Sequence, residues 1–154
     1  MATKLNPGDK APDFSSKDQK GEEISLEKLK GKKIILYFYP KDNTPGCTAE
    51  ACSLRVGYDR LLEAGFVVVG VSPDSEKSHV NFAAKHNLPF HLIADTEMEM
   101  LKQYGAWGEK KMYGKTYEGV IRTTFVISEN GTIEHVIPKV DTKNHAEQIM
   151  ALYN

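Results

Sequence analysis

Apolar residues fall into two kinds of block along this chain. Residues 34–39 and 66–71 are continuous apolar runs rich in β-branched and aromatic side chains, the pattern of strands covered on both faces. Between them Cys47, Ala51, Leu54, Tyr58 and Leu61 recur every three or four residues, which predicts one amphipathic helix over 47–64. Strand, helix, strand in this order is a β-α-β unit with parallel strands and a right-handed connection. Downstream the pattern predicts a helix over 75–87, a short strand over 91–94 and a short helix over 97–104. Residues 123–128 and 132–138 read as strands joined by Glu129, Asn130 and Gly131, a tight-turn signal for an antiparallel hairpin. A last helix covers about 142–152, and residues 13–24 suggest an N-terminal hairpin. Residues 105–119 are polar and glycine-rich and are expected to form a long irregular loop.

Parallel β-α-β first, then an antiparallel hairpin and a closing helix, predicts an α/β protein with a mixed β-sheet flanked by helices. That is the arrangement of the thioredoxin fold, here with N-terminal additions. With 154 residues, 40% of them hydrophobic, residues 1–154 are expected to form a single domain. Twenty basic residues against 21 acidic ones leave a net charge of -1, which argues against nucleic acid or an anionic membrane as partner. The first ten residues mix Lys4, Asp9 and Lys10 with little apolar material, and no stretch approaches a membrane span, so the expected location is cytoplasmic.

Two cysteines are too few for a disulfide scaffold, and no histidine lies near them in sequence to complete a zinc site. Chemistry is the better use for such a pair. Thr44, Pro45, Gly46 and Cys47 fit a helix start, with Thr44 as N-cap, Pro45 at the first position and Cys47 at the third. Unpaired amides and the positive end of the helix dipole there favour thiolate, the nucleophilic form, over thiol. The bland alternative is that Cys47 is a small apolar residue continuing the helix stripe. Cys52 follows five residues later. On an intact helix the two Cα atoms stand about 8.7 Å apart, whereas a disulfide needs roughly 4.4–6.8 Å. A bond between them therefore requires the first turns of the helix to unwind. Cys52 lies off the apolar stripe, where it is either an inert thiol or a resolving partner. Arg122 stands beside an apolar strand pattern, where a permanent charge needs a partner or must reach water. Glu50, near the helix start, would brace that arginine or complement the helix dipole.

The motif YPKDNTPGCTAEAC, with Pro40, Thr44 and Cys47 in the pattern Pro-x-x-x-Thr-x-x-Cys, resembles the peroxiredoxins, specifically the bacterioferritin comigratory protein or PrxQ-type branch. The likeness extends from NPGDKAPDF through WGEKKMYGKTYEGVIRTTFVI to the terminal helix. It implies a peroxidatic Cys47, a resolving Cys52, Thr44 orienting the peroxide, Pro40 shielding the pocket and Arg122 stabilising thiolate and peroxide. It further implies a hydroperoxide substrate, thioredoxin or a similar dithiol as reductant, a monomer, and no metal or other cofactor. Two other readings share the fold or the thiols: a disulfide oxidoreductase, which ordinarily presents Cys-x-x-Cys, and a non-catalytic redox sensor. The five histidines are scattered over different elements and are expected to serve as surface or core residues.

Overall fold

The computed structural model describes residues 5–153; residues 1–4 of the N-terminal stretch lie outside them. A small antiparallel pair, β1 (Ser15–Lys17) and β2 (Glu23–Ser25), comes first, where the N-terminal hairpin was expected. The central strand β3 (Lys33–Phe38) leads through a loop to α1 (Pro45–Val56), α2 (Tyr58–Glu63) and β4 (Phe66–Ser72). Next come α3 (Glu76–His86), β5 (His91–Ala94), α4 (Glu99–Gln103) and a hairpin of β6 (Trp107–Met112) and β7 (Lys115–Val120). Strands β8 (Thr123–Ile127) and β9 (Ile133–Ile137), helix α5 (His145–Met150) and a 3-10 turn at Ala151–Tyr153 complete the chain.

Five strands form the main sheet in the order β5-β4-β3-β8-β9. Strand β3 pairs in parallel with β4 and antiparallel with β8, so the mixed sheet expected from the sequence is present. Its alternating side chains feed two cores, as a period of two dictates. Ile34, Leu36 and Phe38 join one, while Ile35, Tyr37 and Tyr39 join the other, where Cys47, Ala51 and Leu54 of α1 pack. The register sets Tyr37 opposite Gly70 on one side and Thr124 on the other. A Cβ at Gly70 would stand 2.7 Å from Tyr37 Cζ, so the absence of a side chain there makes room for the phenol ring.

Two expectations are corrected. The helix over 47–64 is two helices that meet at Gly57, where a Cβ would come within 2.6 Å of Ala146 Cβ. Periodicity sees the apolar stripe continue and cannot see that α5 crosses so closely at this point. The loop over 105–119 is the β6–β7 hairpin, six residue pairs long. Most of β7 is exposed, so no apolar alternation marked it. Its turn, Tyr113-Gly114, has φ of 52° and 77°, the two positive values a primed hairpin turn needs.

Candidate active site

The loop between β3 and α1 is anchored from below by a buried polar cluster. The Asp42 carboxylate accepts from Tyr39 Oη at 2.7 Å, Ser78 Oγ at 2.8 Å and His79 Nδ1 at 2.7 Å. The other ring nitrogen of His79 lies 3.0 Å from the Ile93 carbonyl. The ring therefore bridges the Asp42 carboxylate and strand β5, tying the loop to the sheet. Burial alone would raise the Asp42 carboxyl; the bonds from His79 and Tyr39 outweigh it and hold the group below its ordinary value. The backbone N–H of Asp42 donates to Asp74 at 2.7 Å, which ties the same loop to the end of β4.

Above this anchor, Thr44 occupies the N-cap position with extended backbone and Pro45 opens α1, as the sequence suggested. The Thr44 hydroxyl does not cap the helix; it donates to the Lys41 carbonyl at 2.9 Å. That bond uses its one hydrogen and leaves its oxygen lone pairs able to accept. Pro40, at the loop's start, is half-buried.

Cys47 falls in the first turn of α1, where amides lack intrahelical acceptors. Its side chain is buried, and Arg122 Nη2 donates to its Sγ at 3.2 Å. Arg122 belongs to the two-residue joint between β7 and β8, and the antiparallel pairing of β8 with β3 brings it to a thiol 75 positions earlier. Gly46 makes space for this approach, since a Cβ there would lie 3.3 Å from Arg122 Nη2. The second nitrogen, Nη1, donates to Glu50 Oε1 at 2.5 Å. Burial works against the Arg122 charge, but the attraction of Glu50 and Cys47 exceeds it and raises the group further above its already high value. One guanidinium thus spans a sulfur and a carboxylate one helical turn apart, and snorkelling to solvent is not its role.

Glu50 is fully buried. Burial pushes its carboxyl up to about 7, with Arg122 pulling the other way. Behind it stands His145 of α5, also fully buried, with Nε2 2.8 Å from Thr124 Oγ1 and Nδ1 2.9 Å from Gln148 Oε1. Burial, reinforced by Arg122, lowers His145 to about 4. Lys110 on β6 also feels the site: burial and Arg122 lower its ammonium while Cys47 opposes them. His145 escaped sequence reading because nothing in its neighbourhood signals that α5 lies behind α1; Lys110 fell within the stretch expected to be an irregular loop.

Cys52 is half-buried on the same continuous helix as Cys47, and both are free thiols. The structure does not bring the two sulfurs together. Instead Cys52 Sγ lies 4.0 Å from Nδ1 of His86, the last residue of α3. A histidine remote in sequence is therefore a neighbour in space. A cavity of about 360 Å³, lined by Ala49, Cys52, Val56, Arg60 and Lys143 among others, opens beside this sulfur. Among the described residues, the Asp18, Glu22 and His91 side chains form a group of metal-binding type that includes neither cysteine. Asp18 already accepts from the Lys20 and Glu22 amides and contacts His91 at 2.8 Å.

A buried thiol at a helix N-terminus, held against an arginine that a distant strand delivers, defines a thiol-based redox enzyme on a mixed α/β scaffold. The AhpC/TSA family model matches residues 7–136, and the chain belongs to that family. Its relatives specify the branch. It is 50% identical over 146 residues to the putative peroxiredoxin bcp of Coxiella burnetii, covering 95% of this chain and 97% of that one. Against peroxiredoxin Bcp of Escherichia coli K12 the identity is 44% over 146 residues, covering 95% and 94%. Among solved structures, peroxiredoxin Q of Xanthomonas campestris superposes with a TM-score of 0.85 at 35% identity, covering 90% of this chain and 88% of that one. The bacterioferritin comigratory protein of the same organism gives 0.88 at 33% identity and 96% coverage of both. The fold is that of the thioredoxin-like peroxiredoxins, and the protein is a thiol peroxidase. Among the described residues no helix is long and apolar enough to cross a membrane.

Proposed function

We propose that Cys47 is the peroxidatic residue and Cys52 its resolving partner, acting on hydrogen peroxide and organic hydroperoxides. The observation that carries this reading is the 3.2 Å contact between Arg122 Nη2 and Cys47 Sγ at the start of α1. The sulfur attacks one peroxide oxygen, an S–O bond forms and the O–O bond breaks. The departing oxygen leaves as hydroxide or alkoxide and takes up a proton from solvent. Arg122 and the first-turn amides stabilise the negative charge as it moves from sulfur to oxygen, and the acceptor lone pairs of Thr44 hold the peroxide hydrogen. Pro40, at the rim of the loop, limits water.

Cys47 is then a sulfenic acid. The Cys52 thiolate attacks its sulfur, hydroxide leaves and is protonated to water, and an intramolecular Cys47–Cys52 disulfide results. A dithiol such as thioredoxin exchanges with this bond and carries the electrons away as its own disulfide. The open cavity beside Cys52 gives such a protein access to the sulfur. The alkyl peroxide reduction activity named for the Xanthomonas campestris relative supports organic substrates. In this reading the chain works as one domain and as a monomer in the cytoplasm, with neither nucleic acid nor membrane as partner.

Stopped-flow oxidation by hydrogen peroxide tests the assignment. Cys47→Ser abolishes peroxide consumption, while Cys52→Ser retains one rapid round and loses dithiol-driven turnover. Undiminished turnover by Cys47→Ser refutes it. Catalytic peroxide loss at substoichiometric protein also separates this enzyme from a mere redox sensor.

A further inference from the structure

Two helices packed near α1 each take an end bond from it. Helix α5 starts at His145, and its N-cap residue Asn144 places no side chain on the first-turn amides. The Ala146 N–H, second in that helix and without an intrahelical acceptor, donates instead to Ser53 Oγ at 3.2 Å. A serine on α1 thus does for α5 what an N-cap serine ordinarily does for its own helix. Helix α3 ends at His86, and Asn87 closes it in the left-handed region with φ of 51°. The His86 carbonyl accepts from Arg55 Nη1 at 2.8 Å, which sets a cationic donor of α1 at the negative end of α3.

Ser53 and Arg55 stand one and three residues after Cys52 on α1. Once the helix opens far enough for Cys52 to reach Cys47, what is left of it beyond Cys52 is residues 53–56, a single turn, because the path to α2 breaks at Gly57. One isolated turn does not hold itself in water, since nucleating a helix is unfavourable. Both side chains then lose the positions from which they bond Ala146 and His86.

We propose that Ser53 and Arg55 are positioning residues for the resolving step: by capping α5 and α3 from α1 they hold Cys52 away from Cys47, and their release sets the rate of disulfide closure. The proposal rests on the peroxidatic and resolving roles given above. The rate matters because the Cys47 sulfenic acid has two fates. Attack by Cys52 forms the S–S bond and expels hydroxide. A second hydrogen peroxide instead adds an oxygen to the sulfur as its O–O bond breaks, leaving a sulfinic acid and water. The first fate is unimolecular and waits for α1 to open, whereas the second grows with peroxide concentration. The two cross-helix caps thereby set the peroxide concentration above which the enzyme inactivates itself.

Quenched-flow mass spectrometry with hydrogen peroxide tests this in Ser53→Ala and Arg55→Gln. In each variant the sulfenic form appears at the unsubstituted rate, while the disulfide closes about fivefold faster, the effect of one lost cap or one lost hydrogen bond from a charged donor. Half-conversion to the sulfinic acid then requires more peroxide in the same proportion. A merely structural role would disturb both phases or neither. Closure at an unchanged or lower rate in either variant overturns the proposal. Should Arg55→Gln fail to fold, Ser53→Ala decides, since it removes a single oxygen. Hydrogen exchange of the reduced protein gives a second readout without peroxide: amides of residues 48–56 exchange faster in both variants while those of β3 keep their protection, and unchanged exchange along α1 overturns the proposal. That readout holds whether or not Cys47 is the peroxidatic residue; failure of the unsubstituted protein to form any sulfenic acid strikes the functional reading instead.

Discussion

Oxidising the reduced protein with one equivalent of hydroperoxide should unwind α1, and the cost follows from its packing. The helix runs without a break from Pro45 to Val56, so the Cα atoms of Cys47 and Cys52 stand about 8.7 Å apart. A disulfide tolerates at most roughly 6.8 Å, and no side-chain rotation supplies the missing ~2 Å. Between the cysteines and just beyond them, Ala51 and Leu54 fill the core under Tyr37. Exposing one such leucine costs about 1.5–3 kcal/mol, and about five helical hydrogen bonds at roughly 0.5–1.5 kcal/mol each bring the loss to about 5 kcal/mol or more. Closing so small a ring returns about 2 kcal/mol through the unfolded state. The oxidised form is therefore less stable by about 3 kcal/mol, which lowers its melting temperature by roughly 6–12 °C for a chain of this size. Amide hydrogen exchange read by mass spectrometry should show residues 48–56 protected in the reduced protein and rapidly exchanging in the oxidised one. Equal protection in the two states, or a higher melting point on oxidation, refutes the reasoning.

Three further substitutions probe the surroundings of the thiol. Because the folded Glu50 sits near 7 and the unfolded group near its ordinary 4.5, the native state binds more protons between those values, so its contribution falls as pH rises from about 4.5 to about 7. The loss is on the order of 3 kcal/mol, and Glu50→Gln should remove that slope from urea-unfolding profiles; parallel profiles would count against the burial argument. His79→Leu strands the Asp42 charge beneath the loop and should cost about 3 kcal/mol together with much of the peroxide rate, whereas full activity would show that the loop holds itself. Gly70→Ala drives a methyl group to 2.7 Å from Tyr37 Cζ and should cost about 1–3 kcal/mol in thermal melts, part of which Tyr37→Leu restores.

Much of the scaffold was legible because the main sheet is made of runs buried on both sides. Strands β3, β4 and β5 and helix α3 lie where the apolar blocks and the pattern over 75–87 placed them. The β6–β7 hairpin was not, since its residues face mostly solvent and carry charge instead of alternation. At the site, Cys47 and its helix start could be read from local order alone. Arg122 could be read from its surroundings only as a charge in need of a partner, because the thiol it meets lies across the strands. His145 and His86 were illegible: each acquires its role from the crossing of two helices, which spacing along the chain does not encode.

The separation of 75 residues between sulfur and guanidinium also bears on how the chain is made. During synthesis Cys47 leaves the ribosome long before Arg122 exists, and it then waits for β8 to add itself alongside β3. Until that last pairing, the nascent polypeptide carries a thiol without its cation.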